Sequence, residues 1–216
     1  MIEPYRIERQ PDAIPETLRG LLKGVETATI GHFEYAGFAG EGITPIFPAR
    51  AIGTAVTVAA PGRDGAIIYT AIDLLRPGDI LVISRVDRDD IACVGGGVIV
   101  AARARGAVAI VVDGPCTDIE EVRGSRFPVW CRGVSSKTTS RRHRIGGAIN
   151  VPVACGGAAV LPGYAVLADT EGVFVSEPSD MHRIAEIALE RQRRSLELRP
   201  YLEAGHSIFE LDRIVP

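Results

Sequence analysis

GGGVIVAARARGAVAIVVDGPCTD, residues 95–118, decides the fold. Gly95, Gly96 and Gly97 open a stretch of helical character that runs through Arg105, and Gly106 ends it. Residues 107–112 are entirely apolar, the pattern of a strand buried on both faces. That strand stops at Asp113-Gly114, and the turn throws Asp118 beyond the strand end. Helix, glycine and buried strand in this order indicate an α/β domain.

The flanking sequence repeats the alternation. Residues 50–60 (RAIGTAVTVAA) are rich in β-branched positions and read as a strand. Residues 65–75 read as a helix, and Arg76-Pro77-Gly78-Asp79 turns into a strand over residues 80–84. Upstream, residues 12–40 read as one or two helices, with Pro15 in a first turn and Leu18, Leu21, Leu22 and Val25 at helical spacing. Downstream, strands are expected at residues 127–131, 149–154, 164–168 and 172–175. A helix follows over about residues 180–198, interrupted by Pro200, and Ser207 to Glu210 has capping-box spacing for a last short turn. Because strands cluster after residue 126, the sheet is expected to be mixed, in a single domain over residues 1–216.

Bulk composition narrows the function classes. With a formal charge of −3, the 216-residue chain lacks the basic surplus of a nucleic-acid binder. Its longest apolar run, near residues 93–102, is about half a membrane span and contains three glycines. The N-terminal MIEPYRIERQP does not read as a signal peptide, so a cytoplasmic location with no nucleic-acid or membrane partner is expected. Cys93, Cys116, Cys131 and Cys155 form no CxxC pair and are expected as buried free thiols.

No dinucleotide fingerprint, P-loop, HExxH or GxSxG occurs; the third dinucleotide glycine falls on Val100. What remains is the glycine loop and Asp118. Glycines at a helix N-terminus free backbone N–H groups for an anion, and ligands of open α/β sheets sit at the carboxyl ends of strands. The loop and Asp118 could therefore flank one pocket. The alternative is plain packing, with Asp118 as N-cap of the helix starting at Ile119.

The stretch resembles the signature of the RraA-like family, which includes 4-hydroxy-4-methyl-2-oxoglutarate aldolase and the regulator of ribonuclease E activity A. The family pattern is a glycine loop, helix, glycine, apolar strand and Asp-Gly-x-x-Arg-Asp; the last element here reads Asp113-Gly114-Pro115-Cys116-Thr117-Asp118. Residues 51–58 (AIGTAVTV), 127–133 (FPVWCRG), 150–157 (NVPVACGG) and 168–175 (ADTEGVFV) are similar to other family segments in the same order. The resemblance implies a compact α/β domain with a β/β/α swivelling-type core, its mixed sheet flanked by helices. It implies a homotrimer or a hexamer of two trimers, with the site between subunits and the tail from about residue 180 at subunit contacts. Asp118 would hold Mg2+ or Mn2+, and Gly95, Gly96, Gly97, Val98 and Ile99 would bind a small carboxylated substrate through their amides. The chemistry implied is retro-aldol cleavage or decarboxylation of a 2-oxo acid.

Two positions depart from the pattern. The family arginine falls on Thr117, which cannot clamp a carboxylate, and the acid many aldolases carry after the first loop glycine falls on Gly96. Arg132 or Lys137, in the basic run of residues 132–144, would supply the missing anion contact. His32 would serve as general acid or base. Asp87, Asp89 and Asp90 precede the loop and would replace the lost acid; the resemblance implies a tail glutamate reaching a neighbouring subunit's site, while Glu186, Glu190 and Glu197 read as a charged helix face with i,i+4 pairs. The alternatives are a non-catalytic regulator of the ribonuclease-regulator branch and an enzyme of this fold with altered chemistry.

Overall fold

A computed structural model describes residues 4–40, 42–87, 89–142 and 144–211. The elements in chain order are β1 (Arg6–Ile7), α1 (Glu16–Leu22), α2 (Thr27–Ile30), β2 (Thr44–Pro45), β3 (Ala51–Ala60), α3 (Ala66–Asp73), β4 (Asp79–Arg85), α4 (Gly96–Ala104) and β5 (Ala109–Asp113). They continue with α5 (Ile119–Ser125), β6 (Val129–Cys131), β7 (Ala148–Ile149), β8 (Val153–Cys155), β9 (Ala158–Val160), β10 (Ala165–Ala168), β11 (Val173–Ser176), α6 (Pro178–Glu203) and α7 (Ile208–Leu211).

The expected mixed sheet is present. β3, β4, β5 and β6 run parallel in sequence order, joined by α3, α4 and α5. β3 is the longest strand and shares its other edge between two partners. β10 pairs with residues 51–54, and β7 pairs with Val58 and Ala59, both antiparallel. β11 extends the sheet beyond β10, β1 lies parallel to β7, and β2 covers β6.

Side-chain parity along the parallel strands assigns the core. Val56, Val58, Leu81, Ile83, Ile110 and Val112 bury one face against α3, α4 and α5 through Ile67, Ile68, Ile99, Ala102 and Val122. The alternate set, including Ile80, Val82, Ala109 and Val111, packs with Trp130 under Cys155, Ala158 and Val160 of the β8–β9 hairpin. A third cluster joins Leu18, Leu22 and Ile30 to Met181, Ile184 and Ala188 of α6 over Leu167 and Phe174. With all three crossover helices on one face, the carboxyl ends of β3, β4, β5 and β6 open onto one set of loops.

Two expectations are corrected. The strand expected over residues 149–154 is two strands belonging to different sheets, β7 and β8. Asn150 between them takes a left-handed backbone (φ 57°), which asparagine tolerates, and Pro152 offers no amide donor. The last long helix runs through Pro200 instead of stopping before it, and Ala204 donates to the Pro200 carbonyl at 3.1 Å. Pro200 sits near the exposed end of α6, where a lost backbone bond is replaced by water. At Ser207 the side chain accepts the Phe209 amide at 3.3 Å, as expected of a cap. Residues 212–216 of the expected tail, and His143 of the basic run, lie outside the described residues.

Candidate active site

Backbone pairing gathers three loops at the carboxyl ends of the strands. After β4, Ala92 donates to the Lys137 carbonyl at 2.8 Å and accepts from Thr139 at 3.1 Å. Thr117 donates to Val94 at 2.9 Å, Cys116 donates to Gly133 at 2.9 Å, and Ser135 donates to Cys116 at 2.9 Å. Residues 92–94, 116–117 and 133–139 thus form a short irregular ladder above the sheet.

Asp118 stands at the end of this ladder. Its backbone is left-handed (φ 53°), a conformation aspartate adopts more readily than most residues. It precedes α5 as the N-cap position requires, but its side chain makes no cap hydrogen bond. Instead, Oδ2 accepts the Gly96 amide at 3.0 Å, satisfying the first N–H of α4. The capping role expected for Asp118 is therefore replaced by one on the glycine loop.

The glycines make this approach possible. A Cβ on Gly95 would strike Asp118 Oδ2 and the Thr117 methyl, and a Cβ on Gly96 would fall on the Glu121 carboxylate. Glu121 thus fills the space that a side chain at position 96 would take. Helix geometry leaves the Gly97 and Val98 amides without an intrahelical acceptor, and both residues line the cavity. Ile99 does not belong to the cradle. Its amide donates to the Gly95 carbonyl at 3.1 Å and its side chain is buried in the core.

The cavity has a volume of about 410 Å³. Its walls are Gly65 and Tyr69 from the α3 side, the glycine loop, Thr117 and Asp118, and residues 138–141. Arg141 is the cation on these walls, and its guanidinium lies over the Tyr69 ring, 5.6 Å from the centroid. The Tyr69 hydroxyl reaches toward Gly97, within 3.3 Å of where a Cβ would sit.

The other candidate residues lie elsewhere. Lys137 forms an exposed ion pair with Asp90 at 2.7 Å, and this contact holds the Asp90 carboxyl below its usual range. Arg132 pairs with Asp113 and lines a separate cavity of about 540 Å³ with Asp89 and Asp90. Asp89 accepts from the buried Arg85 at 2.9 Å, and Asp87 accepts the Gly62 amide. His32 lines a third cavity between α2 and α6, beside Arg191 and Ser195. Within one chain, neither His32, Lys137 nor Arg132 is brought to Asp118. Glu34 faces Arg183 at 3.6 Å, and Glu190 and Glu197 pair with Arg193.

All four cysteines are free and buried, as expected. Burial pushes the Cys93 thiol up to about 11 and the Cys155 thiol up to about 12. The Cys116 thiol is also pushed up, first by its hydrogen bond with Cys131 and then by burial. The Cys131 thiol moves the other way, drawn down by its hydrogen bond with Cys116, and all four side chains pack beneath the loops.

Tyr69 and Arg141 were not singled out from the sequence. Tyr69 is one polar atom in an apolar helix, and Arg141 is one cation among several in a loop without periodicity. The discriminating signal is spatial, the pairing of residues 138–140 with Ala92 and Asp64.

A carboxylate seated on a glycine turn, beside a polar cavity at the ends of parallel strands, is what this α/β fold presents where ligands of open α/β sheets sit. The chain belongs to the RraA-like (Aldolase/RraA) family, whose model matches residues 27–175. It is 32% identical over 143 residues to a Halalkalibacterium halodurans protein named "Putative 4-hydroxy-4-methyl-2-oxoglutarate aldolase", covering 66% of this chain and 67% of that one. Among solved structures, RraAS2 of Streptomyces coelicolor, described as an unusual member of the RNase ES inhibitor RraA family, superposes with a TM-score of 0.75 at 27% identity. That match covers 89% of this chain and 98% of the other. The RNA-processing inhibitor RraA from Thermus thermophilis shares the fold, with a TM-score of 0.61 at 22% identity over 69% of this chain and 90% of its own.

Proposed function

We propose that this protein is a divalent-metal-dependent lyase that cleaves or decarboxylates a small carboxylated 2-oxo acid. One observation carries the reading: the Asp118 carboxylate is seated on the glycine turn, beside the two first-turn amides of α4 that face the cavity. The relatives named as aldolases support the reaction class.

The donor set fits a hard, largely hydrated cation. Asp118 Oδ2 is engaged by Gly96, while among the described residues Oδ1 meets the Thr117 hydroxyl alone, at 3.5 Å. A single carboxylate completed by water is a ligand set Mg2+ or Mn2+ accepts and Zn2+ sites rarely use; among the described residues no cluster of three or more His, Cys, Asp or Glu stands ready to hold a metal. Asp118 would hold the ion, which supplies Lewis-acid stabilisation of charge developing on the substrate's keto oxygen. The amides of Gly97 and Val98 orient the substrate carboxylate at the positive end of α4. The Tyr69 hydroxyl, above Gly97, is placed to donate a hydrogen bond to the same oxygen-rich end of the substrate.

Assembly as a homotrimer, or as a hexamer of two trimers, belongs to the same reading, as does a cytoplasmic setting. Leu196, Tyr201, Leu202, Ile208 and Phe209 leave apolar surface exposed along α6 and α7, which supports a subunit contact there. Among the described residues no helix is long and apolar enough to cross a membrane.

The test is pyruvate release. The protein is incubated with Mg2+ and, in turn, oxaloacetate and a series of 4-hydroxy-2-oxo acids. Turnover that is lost on chelation and in Asp118→Asn is expected. Absence of turnover with every substrate, together with absence of Mg2+ binding, would replace the lyase with a non-catalytic binding protein of the regulator branch.

A further inference from the structure

Arg141 differs from the other cations near the site. Lys137 is neutralised by Asp90 and Arg132 by Asp113, whereas the Arg141 guanidinium meets the Tyr69 ring and, among the described residues, no carboxylate or carbonyl. Its backbone position is fixed from two sides. Thr138 pairs with Ala92, and Ser140 pairs with Asp64, donating to the Arg63 carbonyl at 3.0 Å and accepting from Gly65 at 3.1 Å. Asp64 is fully buried and also accepts the Ile145 amide at 2.6 Å and the Gly146 amide at 3.3 Å, fastening the loop downstream of Arg141. The loop is thus a built wall of the cavity.

We propose that Arg141, lying over Tyr69, is the specificity residue that grips a substrate carboxylate, performing from the loop between β6 and β7 the task that Thr117 cannot perform. The inference rests on the lyase reading for its substrate but not for its anion. A guanidinium lying over an aromatic ring keeps its planar fork available for a bidentate carboxylate contact. Asp118 and Arg141 on the walls of one cavity give a metal-binding carboxylate and an anion-binding cation from separate segments.

The experiment titrates wild type, Arg141→Ala, Arg141→Lys, Tyr69→Phe and Arg142→Ala with oxalate by calorimetry, with and without Mg2+, and measures oxaloacetate turnover for each. Arg141→Ala is expected to weaken oxalate by about 10- to 100-fold, as loss of a charge-assisted contact does. Arg141→Lys should recover part of that loss, because lysine keeps the charge without the fork. Tyr69→Phe keeps the ring under Arg141 but loses the hydroxyl's hydrogen bond, so it should weaken oxalate by about 2- to 10-fold, less than Arg141→Ala does. Arg142→Ala, the neighbour off the cavity wall, should change affinity less than about twofold. In turnover, Arg141→Ala should raise KM more than it lowers kcat. Oxalate affinity unchanged in Arg141→Ala, an equal loss in Arg142→Ala, or no oxalate binding by wild type would each overturn the proposal. Wild type that binds oxalate through Arg141 but turns over nothing would sink the lyase reading and leave Arg141 standing. Asp118-dependent turnover that is indifferent to Arg141 would do the reverse.

Discussion

Replacing Asp118 by asparagine and, separately, by alanine separates the two tasks of this side chain. Its Oδ2 accepts the Gly96 amide at 3.0 Å, and its backbone is left-handed at φ 53°. Alanine loses both supports. The lost acceptor costs about 1 kcal/mol at this exposed position, below the usual 1.5–3 kcal/mol for bonds to charged groups. Holding alanine in the left-handed region costs about 1 kcal/mol more than holding aspartate or asparagine there. A loss of about 2 kcal/mol lowers Tm by about 4–8 °C in a chain of this length. Asparagine keeps an oxygen for the Gly96 amide and tolerates the backbone, so its Tm should fall by no more than about 2 °C. Yet it lacks the charge a hard cation requires, so Mn2+ binding followed by electron paramagnetic resonance, and pyruvate release, should both vanish. The assays are thermal unfolding of the three proteins and Mn2+ titration of each. If asparagine destabilised as much as alanine, the carboxylate charge would be part of the fold. If asparagine bound Mn2+ normally, Asp118 would not be the metal residue.

Other positions answer to the same reasoning. A Cβ on Gly53, near the start of β3, would lie 2.5 Å from the Gly78 carbonyl oxygen and 2.7 Å from Ile80 Cγ1, so Gly53→Ala should cost about 2–3 kcal/mol by denaturant unfolding. Gly96→Ala meets only the end of the exposed Glu121 side chain and should cost less than about 1 kcal/mol; equal losses at the two sites would contradict the packing described. Tyr5 donates to Asp64 at 2.9 Å, and burial, followed by the Asp64 hydrogen bond and charge, pushes its hydroxyl up to about 12. A folded-state value above the unfolded one of about 10 gives stability that is whole below pH about 10 and disappears as pH rises through about 12. The ultraviolet difference titration of wild type against Tyr5→Phe should therefore have its midpoint near 12, and a midpoint near 10 would dismiss the Asp64 contact.

Much of the sheet was legible because its signals are local. The apolar run ending at Val112 becomes β5, and the turn at Pro77-Gly78 delivers β4, since a continuous buried strand and a proline-glycine turn each declare themselves within a few residues. The break at Asn150 was not legible. Residues 149–154 read as one strand, although Asn150 and Pro152 stand inside it, and the break places its two ends in different sheets. The partner of Asp118 was hidden for a related reason. Asp118 before Ile119 has the local signature of an N-cap, but Gly96, twenty-two residues upstream, offers a first-turn amide that wins the carboxylate. His32 and Lys137 attracted attention by residue type, yet α2 packs against α6, and Lys137 points to Asp90.

The same contrast bears on how substrate recognition can change within this fold. The half of the site proposed to hold the metal comes from one contiguous stretch, residues 95–118, whose helix and strand are also the core of the sheet. Any change there must satisfy packing, the left-handed turn at Asp118 and the close approach at Gly95. The loop carrying Arg141 is under a different constraint. Its backbone is fastened by Ala92 and by the buried Asp64, whereas its side chains face the cavity or solvent and bear little of the core. A cation can therefore be lost beside Asp118 and another gained at position 141 without disturbing a strand. Thr117 packs its methyl group against Gly95 and donates its amide to Val94, so it serves the scaffold while offering no charge. If Arg141 grips the substrate carboxylate as proposed, the anion contact sits on a loop outside the core, while the Asp118 carboxylate sits where helix, strand and turn packing hold it.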